Sequence, residues 1–196
     1  FLLAAVIVII SSCEKDDPNI VKFRDSDFLN ELIKLGVDKN GDGQISPNEA
    51  EITDYIMIDN PKITDLSGIE AFIYLSTFSI RSSGLTRLDL SGNKNLLYLY
   101  CHGNSLTSLN VSNNTALKTL WCMSNNLSKL DISKNINLEV LDCSINQLSI
   151  LDLKNNKLLK LSNVIATPHV GAQTKESQLK ASVQIANRVI EVLEKQ

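Results

Sequence analysis

Leucine returns at a fixed step through the middle of this chain. Leu85, Leu106, Leu127 and Leu148 are 21 residues apart, as are Leu88, Leu109, Leu130 and Leu151, and Leu96, Leu117, Leu138 and Leu159. Cys101, Cys122 and Cys143 keep the same step. So do two asparagine series: Asn104, Asn125, Asn146, and Asn93, Asn114, Asn135, Asn156. Within each repeat, alternation predicts a short strand, with Leu99 and Cys101 pointing inward and Tyr98, Tyr100 and His102 outward. An irregular first coil precedes the regular ones, with Leu75, Phe78, Ile80 and Ser83 standing where Leu96, Leu99, Cys101 and Asn104 stand later. One such coil buries too few side chains to offset its own ordering, so coils must stack and their ends need caps. The pattern predicts a mainly β solenoid over residues 61–157, a short stack of right-handed coils.

Helical spacing appears on either side. Phe28, Leu29, Leu32 and Ile33 predict a helix over Ser26–Leu35 with Ser26 as its N-cap. Leu179, Val183, Ala186, Ile190 and Leu193 predict a C-terminal amphipathic helix after Thr174, suited to docking on the last coil. At the other end, residues 1–10 form an apolar run without charge. Ten residues of helix rise about 15 Å, half a bilayer core, so the run does not span a membrane as it stands. It fits the apolar core of a truncated signal peptide, residues 1–12, the alternative being a truncated transmembrane helix.

Composition follows from the repeat. The chain holds 29 Leu and 20 Asn but only 10 aromatic residues, and the repeat frame L-x-x-L-x-C-x-x-N-x-L absorbs most of the excess. That frame is a leucine-rich repeat. Nineteen Lys and Arg against 22 Asp and Glu give a net charge of −3, which excludes a general nucleic-acid binder. A hydrophobic share of 43% excludes an acidic disordered chain.

Asp38-Lys39-Asn40-Gly41-Asp42-Gly43-Gln44-Ile45-Ser46-Pro47-Asn48-Glu49 matches the spacing D-x-N-x-D-G-x-I-x-x-x-E of an EF-hand calcium loop. Ca²⁺ wants six to eight hard oxygens, and Asp38, Asn40, Asp42, the Gln44 carbonyl, Ser46 through water and a bidentate Glu49 would supply them. Residues 25–60 are therefore expected to form an EF-hand-like unit whose exit helix starts near Pro47. A loop that turns without metal is the alternative. No second loop is present in the sequence, so a structural or modest-affinity site is expected.

Ile10-Ser11-Ser12-Cys13 resembles the lipobox of bacterial lipoproteins, and Glu14-Lys15-Asp16-Asp17 resembles the acidic export signal of Bacteroidetes lipoproteins. That resemblance implies cleavage before Cys13, a lipid on Cys13, a linker over residues 13–24 and a place on the bacterial outer membrane. The order of lipobox, calcium loop, Leu66-Ser67-Gly68-Ile69-Glu70-Ala71-Phe72 and repeats resembles Bacteroidetes-type leucine-rich-repeat lipoproteins over residues 1–157. It implies a surface protein that binds a ligand, without enzyme activity. From the residues themselves, the repeat cysteines are expected to be free buried thiols rather than disulfides, since three cannot all pair.

The outward column is the candidate ligand site: Tyr98, Tyr100, His102, Trp121, Met123 and Asp142 on a concave sheet, suited to a protein or glycan partner. A solvated strand face with incidental rings is the alternative. The period fails at Ser162, and Thr167-Pro168-His169-Val170-Gly171-Ala172-Gln173-Thr174 resembles the C-terminal segment of D-isomer-specific 2-hydroxyacid dehydrogenases, with His169 matching their general acid. Residues 158–196 carry that resemblance alone. No G-x-G-x-x-G and no counterpart of the family's catalytic Arg or Glu accompanies it, so neither NAD binding nor hydride transfer is expected. The alternative to a binding protein is a non-functional chimera or fragment carrying this piece.

Overall fold

A computed structural model of the chain describes residues 19–149 and Leu151. The signal-peptide and lipobox readings, with Cys13, lie outside the described residues, as do the dehydrogenase-like segment 158–196, His169 and the C-terminal helix.

Five strands form one parallel sheet in strict chain order: β1 (Tyr55–Asp59), β2 (Thr77–Arg81), β3 (Tyr98–Tyr100), β4 (Thr119–Trp121) and β5 (Val140–Asp142). Each strand pairs only with its neighbours in sequence, which makes the molecule a parallel β solenoid. The register carries the repeat directly: Leu99 lies opposite Leu120 and Leu120 opposite Leu141. In the irregular first coil, Phe78 lies opposite Leu99, where the pattern put it. Leu85, Leu96, Leu99, Leu106, Leu117, Leu120, Leu127 and Leu138 are all fully buried, so the 21-residue step is a step through one core.

Two asparagine ladders close the bends. The Asn93, Asn114 and Asn135 amides each donate to two carbonyls of the preceding coil, those of Asn114 reaching Leu90 and Asn93 at 2.9 Å. Asn104, Asn125 and Asn146 donate to carbonyls of their own coil and the one before, and accept from a backbone N–H with the amide oxygen. A buried backbone polar group without a partner is costly, and the amides answer it as donors in the first ladder and as both donor and acceptor in the second.

Within three residues of the end of each of β2 to β5 the chain turns through a left-handed residue at the same repeat position. These are Ser82 (φ 51°), Gly103 (70°), Ser124 (54°) and Ile145 (52°), again 21 apart. A β-branched residue is the worst occupant of that region, and Ile145 is exposed, so little packing compensates. Ile145→Asn should therefore stabilise the protein by about 0.5–1 kcal/mol, a rise of a few degrees in the melting midpoint. A fall in that midpoint on calorimetry would contradict this account.

The N-terminal end is built from helix α1 (Ser26–Lys34), helix α2 (Pro47–Glu51) and the loop between them. Phe28, Leu32, Val37, Ile45 and Ala50 share one buried cluster with Ile56, Ile58 and Ile63, so this unit covers the first coil. The α1 cap differs from the sequence reading: it is Asp25, not Ser26. Asp25 Oδ1 accepts from the N–H groups of Asp27 and Phe28, at 2.9 and 3.1 Å. Its Oδ2 accepts from the N–H groups of Thr64 and Asp65, at 2.8 and 3.2 Å, which ties the helix to the solenoid. Burial works to raise the Asp25 pKa, and these four N–H donors outweigh it and hold the carboxyl below its usual range.

Strand β1 is the other departure. The pattern put residues 25–60 in a helical unit and began the repeats at 61, whereas α2 stops at Glu51 and Tyr55–Asp59 pairs with β2 along its length. Its offset from β2 is 22 residues rather than 21. That difference hides it from a search at fixed step.

Candidate functional site

Alternate residues of five parallel strands project from the sheet away from the core, and register places them in three rows. Tyr55, Thr77, Tyr98, Thr119 and Val140 form the first row, and Met57, Ser79, Tyr100, Trp121 and Asp142 the second. The third continues one step beyond the strand ends, from Asp59 and Arg81 to His102, Met123 and Ser144. The six residues singled out from the sequence, Tyr98, Tyr100, His102, Trp121, Met123 and Asp142, therefore share one face.

Sequence reasoning missed the contribution of β1: Tyr55, Met57 and Asp59 extend this face by one strand. The alternation of exposed Tyr55, Met57 and Asp59 with buried Ile56 and Ile58 was the available signal.

The aromatic cluster is real contact, not just proximity in a column. Tyr100 and Trp121 meet edge to face, centroids 5.1 Å apart and planes at 84°. His102 stands 6.2 Å from Trp121 at 59°. Such pairs are favourable by about 0.5–1.5 kcal/mol beyond the area they bury. Trp121 remains 39% exposed, enough surface to meet a partner, while Ser79 and Thr119 are covered by their neighbours. Arg81 Nη2 lies 3.7 Å from Asp59 Oδ2, an ion pair with little net stability at this exposure. Burial and the nearby Arg81 charge hold the His102 pKa below its usual value, against the opposing pull of Asp142 and Asp59.

Behind this face the thiols of Cys101, Cys122 and Cys143 are free, stacked on consecutive coils. Desolvation pushes the Cys101 thiol to about 12 and that of Cys143 to about 11, so both stay protonated and unreactive at neutral pH.

The loop between α1 and α2 is the second candidate. Gly41 and Gly43 are both left-handed, at φ 75° and 80°, as a tight oxygen-lined turn requires. Asp38 accepts from the Gly41 and Gly43 N–H groups at 2.7 and 2.9 Å. Asn40 Oδ1 accepts from the Asp42 N–H, and Asp42 Oδ1 from the Gln44 N–H, both at 2.9 Å. Ile45 is fully buried beneath the loop, and its carbonyl accepts from the Val21 N–H at 2.8 Å.

Glu49 is turned toward backbone donors. Its Oε1 accepts from the Lys39 and Asn40 N–H groups (2.7 and 3.2 Å), and its Oε2 from the N–H and hydroxyl of Ser46 (both 2.8 Å). Ser46 in turn caps α2. The Ser46 N–H is the largest influence on Glu49; despite burial, it, the Ser46 hydroxyl and the Lys39 and Asn40 N–H groups hold the carboxyl at about 2. By type, Asp38, Asn40, Asp42, the Gln44 carbonyl and Glu49 fit a hard cation such as Ca²⁺. In this arrangement, among the described residues no three His, Cys, Asp or Glu side chains converge on one metal position. Glu49 has to leave its N–H donors to chelate an ion.

A parallel solenoid with a 21-residue step, inward leucines and asparagine-closed bends defines a leucine-rich-repeat fold. The structure is similar to the functional domain of InlJ from Listeria monocytogenes, a domain that includes a cysteine ladder, with a TM-score of 0.63 and 31% sequence identity. That match covers 78% of this chain and 35% of the other. It also resembles an internalin, InlF, from the same organism, with a TM-score of 0.54, 19% identity, and coverage of 64% of this chain and 45% of that one. The chain thus spans less than half the length of either. No protein-family model matches the sequence, and neither does any curated protein. Among the described residues no helix is long and apolar enough to cross a membrane.

Proposed function

We propose that this chain is a binding protein of the bacterial cell surface that recognises a protein or glycan ligand on its outer strand face. The observation that carries this reading is the contact cluster of Tyr100, Trp121 and His102 on a sheet face whose exposed row also holds Met57 and Asp142. Aromatic residues concentrated in a chain poor in them are what recognition sites use, because rigid rings bury much area at low entropic cost. The likeness to the InlJ functional domain supports the reading, and the cysteine ladder of that domain has its parallel here in Cys101, Cys122 and Cys143.

Two further parts belong to the same proposal. Cys13 carries a lipid that anchors the chain at the outer membrane, in keeping with the lipobox spacing around it. The loop of Asp38, Asn40, Asp42, Gln44 and Glu49 takes one Ca²⁺ that stiffens the N-terminal cap rather than acting in chemistry. Extracellular sites of this kind bind at about 10⁻⁴–10⁻³ M. Calorimetric titration with Ca²⁺ should show one site in that range, lost in Asp38→Ala; no heat at millimolar Ca²⁺ would remove the metal from the proposal. The chimera reading rests wholly on residues 158–196, and no observation in the described residues favours it.

The test of the main reading is capture of host-cell proteins and arrayed glycans by the intact chain. Replacing Tyr100 and Trp121 together by Ala should abolish specific capture while the unfolding midpoint moves little, since both rings sit on the solvent side of the sheet. Undiminished capture by that double variant would overturn the assignment.

A further inference from the structure

We propose that the strand face seats a cationic side chain, lysine or arginine, of a protein partner against Tyr100 and Trp121, paired with the carboxylate of Asp142. This rests on the strand face being the binding surface, and it assigns that surface its ligand chemistry. The rings come first. Tyr100 and Trp121 stand edge to face at 5.1 Å and 84°, so their π faces are at right angles and form a corner rather than a flat shelf. A cation within about 6 Å of such faces is attracted by the negative charge above each ring.

Charge points the same way. Three formally charged side chains stand in the rows of this face, and Arg81 and Asp59 face each other at 3.7 Å. That leaves Asp142, opposite Trp121 in the β4–β5 register, with no Lys or Arg within 4 Å among the described residues. Its Oδ1 is fixed by the N–H and hydroxyl of Ser144, at 3.0 and 2.6 Å, and the register sets the residue next to Trp121. The residue is only half-buried, so a partner can reach it. Burial and Arg81 hold the His102 pKa below its usual value, which limits the opposing charge it adds.

Met123 and Val140, two residues along the chain from Trp121 and Asp142, are apolar. They suit the methylene stem that a lysine or arginine lays along an apolar surface while its charged end finds a carboxylate.

Trp121 is the only tryptophan in the chain, so its emission reports this corner directly. The full chain should be titrated at low salt with tetra-arginine, tetra-lysine, tetra-glutamine and tetra-glutamate peptides. The expected result is a saturable change in emission with the two cationic peptides alone, weakening as salt is added. Asp142→Asn should weaken that binding about five-fold and Asp142→Glu should restore most of it, both folding with unchanged circular dichroism. A response to tetra-glutamine or tetra-glutamate equal to that of tetra-arginine would overturn the inference, as would unchanged affinity in Asp142→Asn or no response to either cationic peptide. Each of those outcomes is distinguishable from failure of the binding surface itself, which is read separately by capture with the Tyr100 and Trp121 double variant.

Discussion

Asn125→Ala should cost this protein about 3 kcal/mol, a large loss for a single truncation on the ladders. Asn125 is buried in the middle of the stack. Its amide nitrogen donates to the carbonyls of Cys101 and Cys122, both at 3.0 Å, and to that of Met123 at 3.3 Å. Its amide oxygen accepts from the Leu106 N–H at 3.0 Å. Truncation orphans the Leu106 N–H, which costs about 1–3 kcal/mol when buried, and removes one of the donors to the Cys101, Cys122 and Met123 carbonyls, which keep the Asn104 amide, the Asn146 amide and the Gly103 N–H. Set against a total stability of about 5–15 kcal/mol for a domain, that is a large share. The neighbouring Asn126 is exposed, and Asn126→Ala should stay within about 0.5 kcal/mol. Urea unfolding of the two variants side by side makes the comparison. A loss below about 1 kcal/mol for Asn125→Ala would mean that the coils hold together without that rung.

The same residues show why the solenoid was readable in the sequence and some of its details were not. Leucine and asparagine at a fixed step encode stacking, because a position that is inward in one coil is inward in all. The outward face was readable too, since alternation around Leu99 and Leu120 dictates which neighbours point away. What escaped was whatever depends on contact between distant segments. Asp25 and Ser26 are both competent caps by composition. Asp25 wins because its second oxygen is held by the Thr64 and Asp65 N–H groups, about 40 residues away in the chain. Strand β1 escaped because its offset of 22 breaks the step and its coil carries no asparagine rung. The left-handed turns were visible only at Gly103; Ser82, Ser124 and Ile145 adopt the same conformation because the stack imposes it. At the loop, one spacing serves two chemistries: Glu49 three residues after Ser46 is both the last position of a calcium loop and the partner in a helix capping box. Sequence alone cannot show that the carboxylate is engaged by Ser46, Lys39 and Asn40. On the strand face, residue types were legible, but the edge-to-face contact of Tyr100 with Trp121 and the Arg81–Asp59 pair required the register.

Gly68→Ala should be strongly damaging for so small a change, at about 3 kcal/mol, and for two separable reasons. The residue is left-handed at φ 101°, a conformation that costs a residue with a Cβ about 1–2 kcal/mol. A Cβ there would also lie 2.7 Å from the Phe23 ring and 2.9 Å from the Lys22 carbonyl oxygen. Phe23 cannot simply swing aside, since its ring packs against Phe28 at 5.5 Å and lies 6.5 Å from Phe72. The overlap adds about 1–3 kcal/mol of the kind that overpacking causes. Gly84 separates the two causes: at φ 68° it shares the backbone strain, but nothing lies within 4 Å of where its Cβ would be. Gly84→Ala should accordingly cost only the conformational part, about 1 kcal/mol. The clash can be isolated further in a cycle with Phe23→Ala. Removing the ring costs packing on its own, yet in the double variant the Gly68→Ala penalty should shrink toward that of Gly84→Ala. Equal losses for Gly68→Ala and Gly84→Ala, or strictly additive effects in the cycle, would mean that the segment through Phe23 does not press on this turn. The glycine in Leu66-Ser67-Gly68-Ile69-Glu70-Ala71-Phe72 is then explained by where it sits: it is the point at which the helical cap is pressed onto the first coil.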